Sequence, residues 1–264
     1  MCIRDSSKEI LEEARKTSTE AFYNQEYECD FIENAGQFFR RVRQNIYEPN
    51  EQTRYIGQNK FRLGVDLAKY ADWTVLTPVN LNTLIALEQE RFNQVDWNFQ
   101  KKLIEATARR FNNAELSIDR TGVGEPIVED LSNIKPELNI LLDKDEKPGI
   151  HFTDQTREDL LKHLALLLEQ DKLKIPNDDG LIGELESCNY KLGERGKVKI
   201  GVPEGLTDDR IMSLALAVYG IDKPYRPDQL TNNRIIINRY IKTKSFLSLI
   251  HISEPTRLLS ISYA

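Results

Sequence analysis

The sequence predicts an α/β domain, with a central mixed sheet that begins as an antiparallel three-strand meander and helices flanking it. Two observations point there. From residue 60 onward, three β-rich apolar runs, 61–67, 74–79 and 83–92, follow one another with only short polar turns between them. A helix-length stretch then separates them from a fourth run, 114–119. Strands joined by short turns pair antiparallel, whereas a strand reached through a helical crossover lies parallel to its neighbour. The fourth run is therefore expected beside the first, pointing the same way.

Upstream, 7–17 shows helical spacing at Ile10, Leu11 and Ala14, and 21–38 is aromatic and acidic. Arg40, Arg41 and Arg43 follow before Pro49, and the stretch 7–57 reads as helical pieces and a linker arriving at a domain that occupies 58–222. Within that domain, Pro78-Val79-Asn80-Leu81-Asn82 is expected to turn the second strand into the third. Asp96 is placed to cap a helix to about residue 112, with Ile104, Ala108 and Phe111 on one face. Thr121-Gly122-Val123-Gly124-Glu125-Pro126 opens another, to about residue 131. After short apolar runs at 140–142 and 150–152, Thr153 or Asp154 caps a helix that buries Leu160, Leu161, Leu164, Leu167 and Leu168. A short strand at 173–175, a weaker helix at 181–188 and a hairpin of 190–192 with 198–202 follow. Residues 208–220 are apolar almost all round, which marks a buried helix, and 223–246 form a tail. The ends, 1–6 and 247–264, resemble translated sequencing-adaptor read-through; they read as non-native, which implies a truncated gene.

With 264 residues, 40% hydrophobic and 30% charged, the chain has enough apolar residues for one sizeable core. No apolar run approaches the length of a membrane span. A formal net charge of −6 argues against a protein that coats DNA non-specifically, but not against one that holds it in a local groove. Cys2, Cys29 and Cys188 are scattered, as are the three histidines, so neither a disulfide framework nor a zinc site is indicated.

The chemistry lies in acids. Asp66 ends the first strand, Asp119 the fourth, and Asp208 and Asp209 head the last helix. Singly, each has an ordinary explanation: a strand-end turn, a cap for the glycine turn, or first-turn acids favoured by the helix dipole. Together they differ, because parallel neighbouring strands place Asp66 and Asp119 side by side, and a helix packed on that sheet can bring its leading acids to them. Converging carboxylates repel one another without a cation. An oxygen-only set suits Mg²⁺ or Mn²⁺, and a pair of such ions about 3.5–4 Å apart is the usual device for phosphodiester hydrolysis. Asp72 is either a supporting acid or a turn residue. Gly122 and Gly124 either open backbone N–H groups to phosphate or make a tight strand–helix turn. Lys191, Arg195, Lys197 and Lys199 on the hairpin are candidates for DNA phosphate contacts, or simply a solvated charged surface. Trp73 and Trp97 read as core.

A strand meander, a helix, a parallel strand and an acid-headed helix follow the order of a ribonuclease H-like domain. More narrowly, GVDLA with Asp72 beyond it, SIDRTGVGEP and TDDRIMSLALA resemble the C-terminal nuclease of the large terminase subunit of tailed bacteriophages, and AFYNQEYECDFIENAGQFF resembles the segment joining that family's ATPase to its nuclease. The resemblance implies a nuclease that cuts concatemeric double-stranded viral DNA with two divalent metals, held by Asp66, Asp119 and the Asp208–Asp209 pair. It also implies portal and small terminase subunits as partners of a longer parent, and the host cytoplasm as location. The family often carries His before the last pair, where this chain has Thr207. No GxxxxGK[ST] loop is present, so translocation is not assigned to this chain. Three alternatives stand beside this reading: a resolvase- or integrase-type nuclease, a sugar-kinase or actin-like ATPase, and a non-catalytic DNA-binding domain. The second lacks its other glycine-rich nucleotide motif.

Overall fold

The computed structural model describes residues 8–28, 36–48, 57–68, 72–134, 137–192 and 198–221; the expectations for 1–6, 223–246, 247–264, Arg195 and Lys197 fall outside them. In chain order come α1 (Lys8–Thr17), α2 (Glu20–Tyr27), β1 (Ile46–Tyr47), β2 (Phe61–Asp66), β3 (Thr74–Asn80), β4 (Ile85–Ala86) and β5 (Glu90–Phe92). Then follow α3 (Trp97–Arg110), β6 (Glu115–Ile118), α4 (Gly124–Ile134), α5 (Asp154–Glu169), β7 (Ile175–Pro176), α6 (Asp179–Ser187), β8 (Asn189–Leu192), β9 (Val198–Gly201) and α7 (Asp209–Val218). Among the described residues no helix is long and apolar enough to cross a membrane.

Strand β2 pairs antiparallel with β3 on one side and parallel with β6 on the other. β4 and β5 both pair antiparallel with β3, so the meander and the parallel fourth strand are as expected. The third strand is not continuous, however. Between β4 and β5 three residues, 87–89, face only two of β3, Thr77 and Pro78. Pro78 has no N–H to give on that side, where its carbonyl accepts from Leu87 N at 2.8 Å. Strand β3 runs one residue beyond the expected 74–79, through Asn80, so Pro78, Val79 and Asn80, which the sequence pattern also assigns to the turn, belong to the strand. The turn is 81–84, and Asn80 closes it by accepting from Asn82 N at 2.9 Å and Thr83 N at 3.3 Å.

Side chains of β2 alternate between two apolar layers. Phe61, Leu63 and Val65 pack with Leu76, Ile104, Leu116, Ile118 and Val128, towards α3 and α4. The second layer holds α5, α6 and α7, and takes in Phe38, Phe39 and Val42 from the upstream segment. Residues 36–48 are thus built into this unit: Phe38 N donates to Cys188 O at 2.8 Å, and β1 pairs parallel with β7.

Arg62, Gly64 and Asp66 fall on the α7 side of β2. A Cβ on Gly64 would stand 2.0 Å from Ser213 O and 2.6 Å from Ala217 N, so helix and strand meet backbone to backbone. The buried Ser213 hydroxyl donates to Gly64 O and Val75 O, both at 3.0 Å, and lies 2.6 Å from the Thr77 hydroxyl. At the far end Arg62 donates to Tyr219 O at 2.5 Å, satisfying a carbonyl at the negative end of the helix, and pairs with Glu115 at 3.0 Å. Ten helical residues rise about 15 Å and the four steps from Arg62 to Asp66 about 13 Å, so the head of α7 arrives over Asp66.

Gly64→Ala is therefore expected to lift α7 and lower stability by about 1–3 kcal/mol or more, as over-packing does. Urea unfolding measures this. A change below about 0.5 kcal/mol, the size of an ordinary surface substitution, contradicts the contact.

Candidate metal centre

Asp66 is half-buried at the end of β2. Asp119 follows β6 by one residue, and its N–H donates to Val65 O at 3.2 Å, carrying the parallel ladder one step further. Asp66 and Asp119 thus sit on adjacent strands at the same level and on the same face. Asp208 is the N-cap residue of α7 and Asp209 its first helical residue. Of the four acids expected from the sequence, Asp119, Asp208 and Asp209 lie near enough for their charges to reach Asp66. Burial holds the Asp66 carboxyl well above the ordinary aspartate range, and the negative charges of Asp209, Asp119 and Asp208 push it further, against the pull of Arg157. Burial also raises Asp119 and Asp209; hydrogen bonds from Thr121 and from the Trp73 backbone, respectively, work the other way. Asp72 is exposed but close enough for its charge to raise Asp209 as well.

The acids are engaged in the chain itself. Asp119 accepts from Thr121 N at 2.7 Å, and Asp208 is paired with Arg157 of α5. Asp209 Oδ2 faces Arg91 of β5 at 3.7 Å, too far for a hydrogen bond, and is buried without a hydrogen-bond partner. With the carboxylates turned to these neighbours, no three His, Cys, Asp or Glu side chains among the described residues form a cluster able to hold a metal ion. The donor set nonetheless fits a hard divalent cation: carboxylate oxygens of like charge, one of them buried and unsatisfied.

Three further residues at this place carry no motif. Arg91 stacks over the Trp73 ring at 4.3 Å and donates to Thr207 Oγ1 at 3.4 Å. Arg157, in the second turn of α5, has one weak sequence signal, a cation near a helix N-terminus where the dipole disfavours it. Glu184 of α6 accepts from the Arg210 and Ile211 N–H groups, and burial pushes its carboxyl up to about 7. Gly122 and Gly124 make a tight turn: Gly122 has φ +58°, and a Cβ on Gly124 would stand 2.2 Å from Asp119 O. On the hairpin, Lys191 and Lys199 are cross-strand partners, and Lys199 is exposed.

A carboxyl whose pKa is raised by folding stabilises the native state less as pH climbs from its unfolded value, about 3.9 for Asp, through its native one. Metal-free protein in EDTA should therefore lose melting temperature as pH rises. Asp66→Asn removes the Asp66 share of that loss, whereas Glu184, which acts between about 4.5 and 7, is common to both proteins and cancels. The variant is expected to melt higher than wild type at pH 8, with the gap closing towards pH 4. A variant that melts several degrees lower at pH 8 makes Asp66 a structural turn residue.

The Terminase RNaseH-like domain family matches residues 63–212, more than half of the chain. The large terminase subunit of Thermus virus P23-45 is 27% identical over 208 residues, 74% of this chain and 40% of that protein. The chain thus spans about 40% of the length of the curated relatives it matches. Among solved structures, the large terminase nuclease from thermophilic phage G20c with bound magnesium superposes with a TM-score of 0.60 at 25% identity, covering 70% of this chain and 97% of that one. The large terminase nuclease domain of Thermus phage P74-26 shares the fold, with a TM-score of 0.58 at 23% identity over 69% of this chain and 94% of its own. The meander with its parallel fourth strand and acid-headed helix is a ribonuclease H-like fold, and the chain belongs to the Terminase RNaseH-like domain family.

Proposed function

We propose that this domain is the metal-dependent endodeoxyribonuclease of a viral DNA-packaging terminase, cutting double-stranded concatemeric DNA. The observation that carries the reading is the approach of Asp208 and Asp209, at the head of α7, to Asp66 and Asp119 on the sheet, close enough for the other three charges to act on Asp66. The G20c nuclease, 25% identical to this chain, was solved with bound magnesium, which supports metal binding by this domain.

Asp66, Asp119, Asp209 and Asp208 would hold Mg²⁺ or Mn²⁺, two ions in this reading. Bound there, the ions supply an activated water and stabilise the leaving oxygen of the scissile phosphodiester. The chain's own part is positioning. Asp66 ends β2 and Asp119 directly follows β6, its parallel neighbour, and α7 brings Asp209 towards them. Arg157 and Arg91 partly neutralise the pair Asp208–Asp209 while no ion does. Lys191 and Lys199 are backbone partners across the hairpin, and Lys199 is exposed. With Arg195 and Lys197, which lie between them in the sequence, they are the proposed DNA contacts. In a longer parent, the portal and small terminase subunit would be partners, in the host cytoplasm.

A supercoiled plasmid with Mn²⁺ or Mg²⁺ tests this. Nicking or linearisation with little sequence preference is expected. Asp66→Ala and Asp119→Ala should lose more activity than the about 10–100-fold typical of a merely supporting residue, while keeping the wild-type circular dichroism spectrum. Full cleavage by either variant, or in excess EDTA, refutes the assignment. Binding of DNA without any cleavage favours a non-catalytic domain.

A further inference from the structure

Four helices of the domain are capped by their own boundary residue: Thr19, Asp96, Thr153 and Asp178 each accept a backbone N–H of the helix they precede. The helix that carries the acid pair is not. Asp208 occupies its N-cap position, where an aspartate ordinarily accepts from the second or third helical N–H. Asp208 accepts from neither. Those two N–H groups, of Arg210 and Ile211, both donate to Glu184 Oε2, at 3.0 and 3.3 Å. Thr207 Oγ1 donates to Glu184 Oε1 at 3.3 Å. One carboxylate from α6 therefore grips the residue before the acid pair and the two after it.

The grip is itself held. Arg210 Nη1 donates to Asp178 Oδ2 at 3.4 Å and to Gln89 Oε1 at 3.1 Å, and Gln89 Nε2 donates back to Arg210 O at 3.0 Å. A Cβ on Gly180 would stand 2.8 Å from Arg210 Nε, so the Arg210 side chain lies directly against α6 at that glycine. Gln89 reaches this turn from the stretch where the third strand leaves the ladder. The break in the meander thus has a use: it presents Gln89 to the head of α7.

We propose that Glu184 is a positioning residue for the acid pair: by capping α7 from outside, it releases Asp208 from capping its own helix and leaves both Asp208 and Asp209 for a metal ion. This rests on the reading of those acids as ligands. The Asp208 carboxylate is turned to Arg157 rather than to its own helix N-terminus, which Glu184 fills instead. Without Glu184, the vacant N–H groups of Arg210 and Ile211 draw Asp208 back into the cap. Glutamine at 184 keeps an acceptor oxygen for both N–H groups, so the role belongs to the acceptor and not to the charge.

Isothermal titration of the whole chain with Mn²⁺ decides this, each variant's fold being checked by circular dichroism. Glu184→Ala is expected to weaken Mn²⁺ binding about tenfold, the low end for a residue that supports a metal ligand. Glu184→Gln should restore it to within about twofold of wild type, which loss of helix stability alone does not predict. In an Asp208→Asn background, where no carboxylate is left to be drawn into the cap, adding Glu184→Ala should weaken binding no further. Wild-type affinity in folded Glu184→Ala overturns the proposal, as does a Glu184→Gln variant as weak as the alanine one, or losses from Glu184→Ala and Asp208→Asn that simply multiply. If Glu184→Ala does not fold, Glu184→Gln decides: wild-type affinity supports the proposal, and a tenfold loss in the folded protein overturns it. No binding by wild type refutes the metal reading itself, before any variant is compared.

Discussion

The contact of α7 with β2 at Gly64 is the constraint on which the rest of this domain depends. A side chain there would collide with helix backbone, so glycine sets how close the helix can lie. Ser213 then ties the helix to β2 and to its antiparallel neighbour β3, and Arg62 anchors its far end. Once the middle and the end are fixed, the start has little freedom. Asp209 must arrive at the level where β2 and β6 deliver Asp66 and Asp119. The same three alternating positions of β2, Arg62, Gly64 and Asp66, therefore serve as anchor, contact and ligand candidate in turn.

That geometry sets up an electrostatic conflict that the domain leaves partly unresolved. Three carboxylates, Asp119, Asp208 and Asp209, come near enough to half-buried Asp66 for each to raise the cost of ionising it. The chain offers two cations in partial compensation, Arg157 to Asp208 and Arg91 to Asp209, yet Asp209 Oδ2 remains without a hydrogen bond. A structural ion-pair network would close such gaps. Leaving one open suits a site whose charge balance is completed by something the polypeptide does not supply.

Much of this was legible in the sequence, for identifiable reasons. Caps are local, so Asp96 and Thr153 announce their helices a few residues ahead. Strand adjacency follows from connection length, so the parallel placement of the fourth strand, and with it the Asp66–Asp119 pairing, can be read without a structure. The misreadings were local too. Pro78 and Asn80 look like turn residues, but a proline is tolerated in a strand where the missing N–H faces a disrupted ladder. Glu184, Arg91 and Arg157 left little or no usable signal, because each reaches the acids across the fold from a different element. Glu184 lies among other acids in Gly183-Glu184-Leu185-Glu186, where nothing in the spacing separates it from a solvated neighbour. Only the backbone groups it meets give it meaning.

The central claim is that the head of α7 and the ends of β2 and β6 together form one metal site. Anomalous diffraction from a Mn²⁺-soaked crystal tests it most directly. The account predicts anomalous density at about 2.0–2.3 Å from carboxylate oxygens of Asp66, Asp119 and at least one of Asp208 and Asp209, with the Arg157–Asp208 pair opened where Asp208 is a ligand. Density confined to other carboxylates, or none at these four in a fully soaked crystal, would contradict it.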